Sequence, residues 1–236
     1  MYLVIMELHY IQIELINKIS TKPYATFNSL LIENIDSDHM NYHLKRLIKL
    51  KLVEKDRNTY ALTDTGKNYV GLIDDTAKAI EKQPKTSVLI QAVRKNPQTG
   101  EIENLMSKRL KHPYYGKVGK LTGKVRFGET LLAAAQRELL EETGLTAKVW
   151  ELEGIYHKLR YKKDDMYVQD TLFYLFFVTD FNGEFIKKTE FQENIWVTKA
   201  MIENKNFDFF EDVSHVSRIK PKKFNFKEDV REVIGY

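Results

Sequence analysis

Apolar residues recur at helical spacing from Leu8 to Ile19, where Leu8, Ile11, Leu15, Ile16 and Ile19 share one face, so a helix is predicted there. Pro23 ends that region, and Phe27 to Ile32 reads as a second, short helix. Asp36 or Ser37 can cap a third helix running to about Leu50. On it Met40, Leu44, Leu47 and Ile48 would face inward, leaving His39, Asn41, Tyr42, Lys45, Arg46 and Lys49 largely outward. Two short strand-like runs then flank the polar turn Asp56-Arg57-Asn58. From Thr63 or Asp64 the helical period resumes, with Tyr69, Leu72, Ile73, Thr76, Ala77 and Ile80 on one side as far as Gln83. That apolar stripe is the one reason to expect a homodimer.

Gln83-Pro84-Lys85-Thr86 breaks the pattern, which predicts a domain over 1–82, a linker over 83–86 and a second domain over 87–236. Beyond the linker, Ser87 to Lys95 and Ile102 to Arg109 read as strands joined by an Asn-Pro-Gln-Thr-Gly-Glu turn. Thr130 to Thr143 holds strong helix formers and no Gly or Pro, with Leu132, Ala135 and Leu139 as an apolar stripe. Val149 to Tyr161 and Tyr167 to Thr179 form a strand pair, and the near-continuous apolar run from Thr171 to Val178 predicts a central strand buried on both faces. A strand-like Ile195-Trp196-Val197 leads into a helix from Lys199, and the tail beyond Phe207 is expected to pack back on the domain. Strands alternating with helices make this an α/β domain.

Composition removes several alternatives. The 236-residue chain has no cysteine, which excludes disulfides and thiolate metal sites, and its 43% hydrophobic and 30% charged residues suit a soluble globular protein. The opening Met-Tyr-Leu-Val-Ile-Met meets Glu7 at once and fits neither a signal peptide nor a membrane span, so a cytoplasmic location without a membrane partner is expected. A net charge of +4 is compatible with anionic partners. Only His39 and His43 have a plausible ligand spacing, and they lie far from the acidic cluster described next, so they read as structural or nucleic-acid-facing.

The chemistry concentrates between Gly123 and Leu145. Gly123, Glu129, Arg137, Glu138, Glu141, Glu142 and Gly144 stand at the offsets G-x5-E-x7-R-E-U-x-E-E-x-G-U, with Leu139 and Leu145 as the bulky aliphatic positions U. At about 6% usage per residue, seven such matches arise by chance with a frequency on the order of 10⁻⁹ per start point. On a helix, Glu138, Glu141 and Glu142 fall at i, i+3 and i+4, so three carboxylates share a face and repel one another. Hard divalent cations would relieve that repulsion and give the cluster a purpose. Such ions could bridge the anionic oxygens of a diphosphate. Gly123 would let backbone approach the site and offer a carbonyl ligand. Gly144 reads as the residue that ends the helix, and Arg137 as a bidentate orienter of carboxylates.

The pattern resembles the Nudix box at every position, so the chain is similar to the Nudix hydrolase family. The resemblance implies an α/β/α sandwich with a mixed sheet, Mg²⁺ or alternatively Mn²⁺ as cofactor, and water attack on a nucleoside diphosphate joined to another group. It places Glu138, Glu141 and Glu142 on the metals with Glu129 in support, and Arg137 among the catalytic residues. In many members an acidic residue before a tryptophan-bearing strand is a ligand or the general base, which nominates Glu193 and then Glu190. The base itself stays open among Glu138, Glu142, Glu190 and Glu193. Arg109, Tyr115 and Lys124, beside the box, are candidates to bind substrate. Thr122 stands where many members have a second glycine, a departure that bears on specificity.

The first domain, small and mainly α, resembles a winged helix-turn-helix over about residues 5–82, carried by the phrase NYHLKRLIKLKLVEKDRNTYALTDTGK. That resemblance implies DNA binding through Tyr42, Lys45 and Arg46 on the third helix and Arg57 in the wing. Against it, acidic and basic residues are nearly balanced and Asp36, Asp38 and Asp56 lie near the same surface, so a structural or assembly role stays open. Two functions remain: a hydrolase, or a transcription regulator that uses the second domain as a nucleotide sensor.

Overall fold

The computed structural model describes residues 8–22, 24–74, 79–80, 83–163, 166–211, 213–214 and 216–232. The chain divides into two compact units, Met1–Lys82 and Gln83–Tyr236. Among the described residues no helix is long and apolar enough to cross a membrane.

In the first unit, α1 (Tyr10–Ser20) starts at a reciprocal cap: His9 Nδ1 accepts from the Ile11 N–H at 3.3 Å while Gln12 Oε1 accepts from the His9 N–H at 2.9 Å. After β1 (Ala25–Thr26) the expected short helix is a 3-10 turn, Phe27–Leu30. Asp36 caps α2 (Ser37–Lys49) by accepting from the Asp38 and His39 N–H groups. The strands β2 (Val53–Asp56) and β3 (Thr59–Leu62) form the expected hairpin, and β1 adds to β3 to complete a three-stranded antiparallel sheet. Leu15, Ile16, Leu30, Met40, Leu44, Leu47 and Tyr69 are the centre of its core.

The long helix expected to reach Gln83 is absent. Thr63 caps α3 (Asp64–Val70), and Gly71 stands at its C-cap, its N–H donating to the Lys67 carbonyl. The chain then forms a small hairpin, with β4 (Ile73–Asp74) paired to β5 (Ala79–Ile80). The continuous stripe that suggested a homodimer therefore does not exist, and its Thr76 and Ala77 lie outside the described residues.

The second unit is built on a seven-stranded sheet. Its strands are β6 (Lys85–Lys95), β7 (Ile102–Arg109), β8 (Val118–Lys124), β9 (Leu145–Tyr161), β10 (Tyr167–Gly183), β11 (Gln192–Val197) and β12 (Asn225–Glu232), in the order β11-β7-β8-β6-β10-β9-β12. The sheet is mixed, with β10–β6 and β12–β9 parallel and the other pairs antiparallel. As the apolar run predicts, β10 is central, between β6 and β9. The predicted linker is partly strand, because β6 already begins at Lys85.

Alternation along β7 sends Leu105 to one face and Met106 to the other. On the first face α4 (Leu131–Thr143) buries Ala134, Ala135 and Leu139 against Val88, Ile90, Leu121, Phe176 and Val178. On the second face Met106, Val118 and Val197 pack with Met201 and Ile202 of α5 (Lys199–Glu203) and with Phe207 and Phe209. The tail does pack back. Glu153, 5% exposed, pairs with Arg218 at 2.7 Å, and a buried Arg160–Asp229 pair at 3.0 Å fixes β12 to β9.

Candidate active site

The acidic helix α4 is positioned by its two ends. Thr130 Oγ1 accepts from the Ala133 N–H at 3.2 Å, and Gly144 closes the helix with φ 71°. A Cβ at Gly144 would lie 2.2 Å from the Glu184 carbonyl oxygen, so only glycine fits this crossing. Between these ends the apolar stripe seats the helix on the sheet, and Arg137, Glu138 and Glu141 gather beside the end of β8.

Arg137 is the centre of the arrangement. Its guanidinium meets Glu129 in bidentate fashion, Nε to Oε1 at 2.7 Å and Nη2 to Oε2 at 2.9 Å. Nη1 donates to Glu138 Oε1 at 2.7 Å and to Glu141 Oε2 at 3.2 Å, while Nη2 also reaches the Lys124 carbonyl at 3.0 Å. One cation thus spans three carboxylates and ties the helix to the loop after β8. The Arg137 bonds, with the Arg126 N–H at 3.0 Å, hold the Glu129 carboxyl down at about 2.

Gly123 lies directly against Glu138, where a Cβ would fall 1.9 Å from the Glu138 Cγ. Any side chain there would push the carboxylate off its place. Glu142 differs from its neighbours. Burial, helped by the charge of Glu138, pushes its carboxyl up to about 7, while Gln192, Lys111 and Arg109 act in the opposite direction. Its Oε2 is buried with no hydrogen-bond partner among the described residues.

Among the described residues no three His, Asp or Glu side chains converge into a preformed metal cage. The donor set nonetheless suits a hard divalent cation: clustered carboxylates, an orphaned buried carboxylate oxygen and an adjoining glycine backbone. The tips of Glu138 and Glu141 are drawn onto Arg137.

The structure brings Glu129, Arg137, Glu138 and Glu141 together and sets Gly123 beside them. Arg109 and Lys111 lie near enough to act electrostatically on Glu142, and Arg109 Nε donates to the Pro113 carbonyl at 2.9 Å. Lys124 joins through its carbonyl. Tyr115 is 60% exposed, its ring 5.8 Å from that of His112. Glu190 is exposed in the bend before β11.

Glu193 lies on the face of β11 turned away from α4. In β11 it alternates onto the face of Ile195 and Val197, opposite to Gln192, Asn194 and Trp196, which face α4. Asn194 takes the place expected of Glu193 at the helix. It is 1% exposed, and its Nδ2 donates to the Glu142 carbonyl at 2.7 Å and the Ile186 carbonyl at 2.8 Å. Its Oδ1 accepts from Gln192 Nε2 at 2.9 Å. Counting alternate positions back from Trp196 would have found both amides.

Removing the Asn194 amide leaves buried carbonyls without donors at the end of the acidic helix. Asn194→Ala is expected to cost about 2–4 kcal/mol of unfolding free energy, measured in urea, from several unmet groups at about 1–3 kcal/mol each. A loss below ~0.5 kcal/mol would show that Asn194 does not fasten α4 to β11.

The NUDIX domain profile matches residues 85–214, more than half of the chain. No curated protein matches. Solved structures that match include the MutT protein from Bacillus halodurans, 24% identical over 51% of this chain and 72% of that one, with a TM-score of 0.42. The NUDIX domain of Shewanella oneidensis NrtR, crystallised with ADP ribose, is 17% identical over 61% of this chain and 88% of that one, with a TM-score of 0.45. The MutT NUDIX hydrolase from Burkholderia pseudomallei is 21% identical over 58% of this chain and 95% of that one, with a TM-score of 0.43. The profile match over the second unit, on the same residues that form the Arg137-centred carboxylate cluster, shows that the chain belongs to the Nudix family.

Proposed function

We propose that the protein is a Mg²⁺-dependent hydrolase that cleaves the pyrophosphate bridge of a nucleoside diphosphate joined to another group. The observation that carries this reading is the intact carboxylate set around Arg137, with one buried, unpartnered oxygen of Glu142 beside it. Glu138, Glu141, Glu142 and the Gly123 carbonyl are the donors for metal, with Glu129 holding Arg137 in place. The bound cation would supply charge neutralisation of the diphosphate and of the oxygen that departs. Arg109 and Lys111, whose charges act on Glu142, suit an anionic substrate. A carboxylate of this acidic cluster would take the proton of the attacking water. Water adds to one phosphorus, its proton passes to a carboxylate of the cluster, and the bridging P–O bond breaks to release two phosphorylated products.

The test is a panel of nucleoside diphosphate sugars, ADP-ribose, dinucleotides and modified nucleoside triphosphates with Mg²⁺, against a Glu141→Gln/Glu142→Gln control. Turnover of a diphosphate-linked compound is expected, falling on the order of 10²–10⁴-fold in the control. Tight binding without turnover of any compound would replace the hydrolase by a nucleotide sensor.

A second role, DNA binding by the first unit, is favoured by one specific feature. Tyr42, Lys45 and Arg46 are all exposed on α2, and the hairpin that follows carries exposed Arg57 at its tip with φ 50°. This order of helix and hairpin supports a winged-helix reading, with α2 entering the major groove. Binding to random duplex DNA should then weaken steeply with salt, and Lys45→Ala/Arg46→Ala should weaken it further. Unchanged binding in that variant would rule α2 out as the contact.

A further inference from the structure

The first unit contains a cavity of about 600 Å³ between the start of α1 and one side of α2. Its volume is in the range of small-molecule sites. Leu8 and Leu50 provide apolar wall, and the His9 and His43 rings stack at 4.7 Å with 20° between their planes. Tyr42 meets His43 edge-on at 5.1 Å, and Arg46 also lines the space. Among the described residues no carboxylate does.

The polar wall is incomplete. Gln12 is 2% exposed and His43 is 8% exposed, yet Gln12 Nε2 and His43 Nδ1 have no hydrogen-bond partner among the described residues. Neither can easily turn to find one. Gln12 Oε1 is committed to the His9 N–H in the helix cap, so flipping the amide would break that bond. The His43 ring is held between His9 and Tyr42. Buried polar groups left in this way call for a water, an ion or a ligand.

Charge and shape narrow the choice. Burial and the neighbouring His9, His39 and Arg46 push the His43 imidazole below its usual range, so Arg46 is the fixed charge on the wall. Among the described residues Arg46 has no ion-pair partner at all. The cap at His9 already uses the Ile11 N–H, which leaves the start of α1 poorly equipped to cradle a phosphate. A guanidinium fork with a single amide donor suits a carboxylate, and the leucines and imidazole faces suit a flat apolar body.

We infer that this cavity is a binding site for a small organic carboxylate with a flat apolar body, its carboxylate on Arg46 and Gln12 and its ring against His9 and His43. The site is separate from the carboxylate cluster of the second unit. It is independent of hydrolysis and shares Tyr42 and Arg46 with the proposed duplex contact.

The experiment is a calorimetric titration of the full chain with 2-naphthoate, with the histidine ring protons followed by NMR. Saturable one-to-one binding is expected, with the His9 and His43 signals moving. Arg46→Ala, at an exposed position, should weaken it about tenfold or more, and the uncharged 2-naphthalenemethanol should be weaker by a similar factor. Gln12→Met should weaken it severalfold, with the melting temperature measured beside it as a check on folding. No saturable binding below about 10 mM would overturn the inference and leave a buried water as the partner of Gln12 and His43. Naphthoate affinity unchanged in Arg46→Ala, or displacement of naphthoate by an equal concentration of inorganic phosphate, would overturn it too.

Discussion

The bidentate bond between Arg137 and Glu129 is the contact on which the site depends. Three glutamates at one end of a thirteen-residue helix would repel one another, and helix propensity alone does not offset that. Arg137 shares its five donors among Glu129, Glu138, Glu141 and the Lys124 carbonyl, so repulsion becomes a network whose geometry is fixed from the loop. With Arg137 and Glu129 each about 15% exposed, the pair is drier than a surface salt bridge and holds its shape better. Glu142 stands outside that network, and burial and Glu138 raise its carboxyl against the opposing pull of Gln192, Lys111 and Arg109.

Around this contact, the sheet and the amides of β11 do the holding. The helix is fixed along its length by alanines and Leu139 on the sheet, at its start by Thr130 and at its end by Gly144 and Asn194. These constraints come from β6, β8, β10 and β11, elements far apart in sequence that meet only when the sheet is complete.

Local pattern disclosed the parts whose causes are local. The ends of α4 follow from Thr130 and Gly144, and the central position of β10 follows from its unbroken apolar run. Long-range causes stayed hidden. Val118–Lys124 holds two glycines and two lysines, yet it is a strand because β6 and β7 flank it. The charged segment Asn225–Glu232 joins the sheet because Asp229 finds Arg160, about seventy residues earlier. The helical spacing beyond Val70 was misleading because α3 ends there and Ile73 pairs with Ile80 instead. The side of β11 on which Glu193 lies is readable from Trp196, since alternate residues of a strand share a face. His43 illustrates the same limit in the first unit: its place on α2 gave no sign that it would be buried under His9.

The account rests on the claim that the carboxylates gathered by Arg137 bind divalent metal. Titration of the protein with Mn²⁺, reading free ion by electron paramagnetic resonance, tests it without any assumption about substrate. Saturable binding is predicted for the natural sequence, with affinity reduced about tenfold or more in Glu138→Gln and in Glu142→Gln at unchanged melting temperature. Absence of saturable binding, or equal binding by both variants, would contradict it.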